Sequence, residues 1–90
     1  MNIEFDPAKA ASNLTKHGVS FEEAAAVLFD PQALTHEDVD TQDEPRFVSL
    51  GMGGQGRILV VVWTPRGDAT RLISAWKANQ PQRKRYAQQF

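Results

Sequence analysis

The sequence predicts an α+β fold, a small twisted antiparallel sheet with helices packed against it, in the order β-α-α-β-β-β-β-α. Three observations predict it. Two stretches before residue 31 carry paired helix start and stop signals. The strand-like stretches that follow are joined by short turns, which favour antiparallel neighbours. One of them, "RILVVVW", is apolar on both faces and reads as a central strand.

"MNIEF" is a short strand. "DPAKAASNLTKHG" is a helix: Asp6 caps it, Pro7 suits its first turn and Gly18 ends it in a left-handed conformation. Lys16 and His17 fall in its last turn, where cations suit the dipole. "SFEEAAAVLF" is a second helix, with Ser20 and Glu23 as a capping box and Val19 stapling onto Ala24. Phe21, Ala24, Ala25 and Leu28 follow helical spacing and form its core face. "DP" at 30–31 stops it.

"ALTHE" (33–37) is a strand and "DVDTQDEP" an acidic loop. "RFVSLGM" is a strand with Val48, Leu50 and Met52 on one face. "GGQG" is a hairpin turn and "TPRGD" the next turn, on either side of "RILVVVW". "ATRLISAW" is the last strand. Asn79 caps a final helix, with Gln82 three residues on to complete a capping-box variant, and Arg83, Tyr86, Ala87 and Phe90 share one of its faces.

Ninety residues make one small domain, 1–90. No cysteine is present, so neither a disulfide nor a thiolate metal site is expected. "ILVVVW" is far too short to cross a bilayer, and no signal peptide is expected. The net charge of -1 conceals an asymmetry. Residues 1–56 set Lys9, Lys16 and Arg46 against ten carboxylates, and residues 57–90 set seven cations against Asp68 alone. Two surfaces with two partners would produce this, the basic one meeting a polyanion. So would a fold that mixes both halves into one neutral surface.

His17 is the first chemical candidate, because imidazole can take or give a proton near neutral pH. The alternative is a helix-ending residue that satisfies free carbonyls. His36, beside Glu37 and Asp38, is expected on an exposed strand. The histidines lack metal-ligand spacing, and Asp38, Asp40 and Asp43 lack the glycine and closing glutamate of a calcium loop. No metal or cofactor is therefore expected. Arg71 and Lys77 stand at an even separation and point to one side unless a bulge intervenes. With Arg83 and Tyr86 on the last helix they suit a phosphate backbone and a stacked base. Snorkelling cations over a hydrophobic layer are the competing reading.

The sequence resembles the BrnT family of toxins from bacterial type II toxin–antitoxin pairs. "FDPAKAASNLTKHGVSFEEAAAVLFDP", "EPRFVSLG", "GRILVVVWTPRGDATRLISAWKA" and "QRKRYAQ" carry the resemblance, in order along nearly the whole chain. "KHGVSFEEA", "RLISAWKA" and "RKRY" are specific in combination, although none is so alone. The resemblance implies a fold similar to RelE-type ribonucleases and cytoplasmic RNA cleavage without a metal. It also implies a BrnA-like ribbon-helix-helix antitoxin, through which alone the pair would meet DNA. By motif position, His17, Arg71, Lys77, Arg83 and Tyr86 are the implied catalytic residues, with Trp76 and Lys84 as substrate-binding candidates. His17 is the expected base, Tyr86 or Lys77 the proton donor, and Arg71 and Arg83 the phosphate clamp. Trp76 stands where many members carry arginine within "ISARKA". A tryptophan cannot neutralise a pentavalent phosphate but can stack on a base. The competing class is a non-catalytic module that binds nucleic acid or docks a partner.

Overall fold

Asp6 and Gly18 bracket the first helix in the computed structural model, which describes residues 1–40 and 43–90. The Asp6 carboxylate accepts the Ala8 N–H at 2.9 Å. Gly18 has φ +69°, and its N–H donates to the Leu14 carbonyl at 2.9 Å. The elements are β1 Asn2–Glu4, α1 Pro7–His17, α2 Phe21–Ala25, a 3₁₀ turn Ala26–Phe29, β2 Leu34–Asp38, β3 Arg46–Met52, β4 Ile58–Arg66, β5 Ala69–Lys77 and α3 Gln80–Ala87. The α+β class and the element order match the expectation. Within the expected acidic loop, Thr41 and Gln42 lie outside the described residues.

The second helix differs from its sequence pattern in two respects. It tightens into the 3₁₀ turn after Ala25. The tighter turn sets Val27, rather than Leu28, into full burial beside Phe21 and Ala24. The cap is also half of the expected box. Ser20 Oγ accepts the Glu23 N–H at 3.0 Å, but the Glu23 carboxylate turns to Arg57, taking Nε at 2.7 Å and Nη2 at 2.6 Å. Burying that carboxylate requires a partner, and the guanidinium fork supplies two aligned donors.

The sheet runs β1-β5-β4-β3-β2. β2 to β5 are joined by antiparallel pairings, and β4 is internal, as its two-sided apolar character predicts. β1 adds one parallel pairing, Asn2 to Glu4 alongside Ala69 to Arg71. β4 continues through Thr64, Pro65 and Arg66, so the last hairpin turn shrinks to Gly67 and Asp68, with Gly67 at φ +58°. Pro65 stands beyond the last β3 partner, Phe47 opposite Trp63. A register shift between Val62 and Trp63 leaves Ile73 as an extra residue on β5: Val62 pairs Ser74 and Trp63 pairs Leu72.

One face of the sheet carries α1 and α2 over Leu59, Val61, Leu72 and Ala75, closed by Val19, Phe21, Ala24 and Val27. The other carries α3 over Leu50, Val60 and Ala78, with Tyr86 inserted. No helix of the described residues is long and apolar enough to cross a membrane.

Candidate functional site

α3 is set by its two ends. The Asn79 side chain accepts the Gln82 N–H at 2.8 Å and the Gln82 side chain accepts the Asn79 N–H at 2.8 Å, the predicted box. At the other end the Tyr86 hydroxyl donates to Asp30 Oδ2 at 2.6 Å. That hydrogen bond, then burial, then the carboxylate charge push the Tyr86 phenol up to about 12. Burial would raise the Asp30 carboxyl, but donors from Tyr86, Met52 and Gln32 outweigh it and hold it below its usual range.

α3 covers only part of its face. Cross-strand partners share a face, so Leu34, Leu50, Val60 and Trp76 form one row and His36, Val48, Val62 and Ser74 the next. α3 lies over the middle of the first row; Val48, Val62 and Ser74 are half-buried and His36 is exposed. A groove of about 150 Å³ opens there, lined by Leu34, His36, Val48, Gln82 and Arg85 among others. It is smaller than the usual enclosed ligand pocket and open along one side.

At the end of β5 the predicted residues divide. His17, half-buried, has its ring 6.1 Å from the Trp76 ring. Lys77 is the next residue and is exposed, and Arg83 Nη1 donates to the Ala78 carbonyl at 2.8 Å. His17, Trp76 and Arg83 thus lie near the end of the strand, whereas Lys77, paired with Leu59, projects to the opposite face of the sheet from Trp76, paired with Val60. Lys84 is exposed on α3. Arg71 is elsewhere. The bulge puts it out of phase with Lys77, so the two do not share a side, and six residues of strand place it roughly 20 Å away. Its Nη1 donates to Glu4 Oε2 at 3.1 Å. Tyr86 is buried, with its proton committed to Asp30.

The charge asymmetry is partly cancelled by folding. Arg57 pairs with Glu23, Arg66 with Glu44 at 3.6 Å and Arg71 with Glu4, each a cation of the second half meeting a carboxylate of the first. Among the described residues Lys77, Arg83, Lys84 and Arg85 belong to none of these pairs, so the remaining cations of residues 57–90 lie at the end of β5 and on α3.

One contributor was outside the sequence reading. Asn13, 6% exposed, lies against β5 beyond the end of β1. Its amide donates to the carbonyls of Ala75 and Val19, both at 2.9 Å, and its oxygen accepts the Ala75 N–H at 3.1 Å and the Ser74 hydroxyl at 3.4 Å. The side chain thus replaces the missing strand partner and seats α1, with His17 one turn further on. An asparagine inside a helix is the only sequence signal of this role. Arg85 lines the groove with His36, whose expected exposed strand position holds; the alternation of Leu34 with His36 opposite Leu50 and Val48 marks the face that His36 takes.

Comparison with known proteins identifies the family and the fold. The family model described as "Ribonuclease toxin, BrnT, of type II toxin-antitoxin system" matches residues 5–81. The crystal structure of the Brucella abortus ribonuclease toxin BrnT is similar, with TM-score 0.69 and 28% identity, covering 89% of this chain and 99% of that one. No curated protein matches the chain in sequence. The family match spans α1, which ends in His17, α2 and the whole of β5, and on that extent the chain belongs to the BrnT family of ribonuclease toxins of type II toxin–antitoxin systems.

Proposed function

We propose that this chain is a metal-independent endoribonuclease with a RelE-like active site at the end of β5. His17 takes the proton of an RNA 2′-hydroxyl. The 2′-oxygen bonds to the adjacent phosphorus, the bond to the 5′-oxygen breaks, and Lys77 gives that oxygen a proton. The products are a 2′,3′-cyclic phosphate and a 5′-hydroxyl. Arg83 stabilises the charge on the phosphoryl oxygens, and Trp76 stacks on a base. Lys77 is preferred to Tyr86 as donor because the Tyr86 proton is held by Asp30. Arg71, engaged by Glu4 at the other end of the strand, is left out of the clamp. Lys84 and Arg85 steer the strand towards the site.

The observation that carries this reading is the approach of the His17 ring to within 6.1 Å of the Trp76 ring at the end of β5, the strand that Lys77 ends and that Arg83 meets through the Ala78 carbonyl. As a type II toxin the chain would be held in the cytoplasm by a BrnA-like ribbon-helix-helix antitoxin, and the complex would bind DNA through the antitoxin.

The test is incubation of the purified chain with RNA in a chelator, beside His17→Gln. Time-dependent cleavage by the native chain is expected, with the variant slowed by roughly two to four orders of magnitude, still folded and still binding antitoxin. Cleavage by His17→Gln at the native rate would make His17 structural. A second reading, a binding module without cleavage, is favoured by one feature, Trp76 in the family's arginine position. A gel shift with intact RNA would establish it.

A further inference from the structure

We propose that the β5-facing side of α1 is a second phosphate-binding surface, on which Lys9 and Lys16 hold the RNA backbone as it leaves the His17–Trp76 end of β5. The proposal rests on the ribonuclease reading for the identity of the strand. Lys9, Ser12, Asn13, Lys16 and His17 follow the spacing of a single helical face. That face, with Ile73 and Ser74 of the bulge, lines a cavity of about 210 Å³.

Three features make this more than a solvated helix face. The first is charge. Residues 1–56 hold ten carboxylates and three cations, yet two of those cations line this cavity and no carboxylate does. Among the described residues, neither lysine belongs to the pairs that engage Arg57, Arg66 and Arg71. The second is rigidity. Asn13 ties the middle of the face to the Ala75 backbone, so the flanking lysines project from a fixed helix two turns, about 10 Å, apart. The third is continuity. His17 belongs to this cavity and also meets the Trp76 ring, so a strand stacked on Trp76 passes His17 and reaches Lys16 and then Lys9. The Ser12 hydroxyl adds a donor suited to phosphate oxygens.

A 2′-O-methyl RNA oligonucleotide lacks the nucleophile and reports binding apart from cleavage. Its affinity for the native chain, for Lys9→Gln/Lys16→Gln and for the control Arg66→Gln is measured against salt, with circular dichroism to verify folding. The double lysine variant is expected to lower the log–log salt slope by about 1.4, two contacts at about 0.7 each, and Arg66→Gln to leave it unchanged. An unchanged slope in the lysine variant overturns the proposal, even if native protein cleaves unmodified RNA. Loss of antitoxin binding with the oligonucleotide slope retained also overturns it, and makes the face a protein-docking surface. A reduced slope without any cleavage by native protein upholds the surface and rejects the catalytic reading.

Discussion

The two faces of the sheet are built from similar residues and finished differently. Under α1 and α2, Val19, Phe21, Ala24, Val27, Leu59, Val61 and Ala75 are all 0% exposed, and Phe5 meets Phe21 edge-on at 5.3 Å. Under α3, Leu50, Val60 and Tyr86 are buried, but Val48, Val62 and Trp76 are only half-covered. α3 is a short helix whose sole buried residue is Tyr86. The closed face holds the fold together through apolar burial. The open face keeps apolar area and the Trp76 indole partly at the surface, beside the cations of α3, the features that the proposed stacking and phosphate contacts would use.

Substitutions can break that comparison, beginning with the most damaging. Phe21→Ala should cost about 3–5 kcal/mol, enough to unfold much of a small domain, as read by urea denaturation. A much smaller loss would mean that the closed face is less tightly packed than its burial implies. Asn13→Ala should cost about 3 kcal/mol, because it leaves the Ala75 N–H and the Ala75 and Val19 carbonyls buried without their partner. A near-neutral result would mean that water replaces the amide.

Tyr86→Phe should cost about 2 kcal/mol, the loss of a hydrogen bond to a charged group. Its pH dependence sharpens the test. The Tyr86 pKa is raised by folding, so its contribution is complete below the ordinary value of 10.0 and is lost as pH rises towards about 12. The Asp30 pKa is lowered, so its contribution is present above the ordinary 3.8 and is lost as pH falls below it. The deficit of Tyr86→Phe relative to the native chain should therefore be largest near neutral pH and shrink above pH 10. A constant deficit would place the cost in packing. The smallest effect is expected at Val62→Thr on the open face, within about 0.5 kcal/mol by thermal melting. A loss matching Phe21→Ala would show that something covers the strip.

What the sequence determined by itself is local. Asp6, Gly18, Ser20 and the Asn79–Gln82 box act through hydrogen bonds within a few residues, so their spacing is their mechanism. The same holds for the central position of β4, whose apolar residues on both faces require cover on both. For the site, the motif positions singled out His17, Trp76, Lys77 and Arg83; the His17 and Trp76 rings lie 6.1 Å apart, and Lys77 leaves the strand on the opposite face from Trp76. The rest was decided by partners remote in the chain. Arg71 meets Glu4 across 67 residues, Asn13 meets Ala75 across 62, Tyr86 meets Asp30 across 56 and Arg57 meets Glu23 across 34. None of these pairs leaves a periodic trace, because each is created when two finished elements dock. The bulge at Ile73 belongs with them. It is one residue in a run of strand formers, and only the pairing with β4 shows that it separates Arg71 from Lys77. The spacing of Lys9, Ser12 and Lys16 is visible in the sequence, but the side of α1 that meets β5 is chosen by Asn13, whose partner is the backbone of a distant strand.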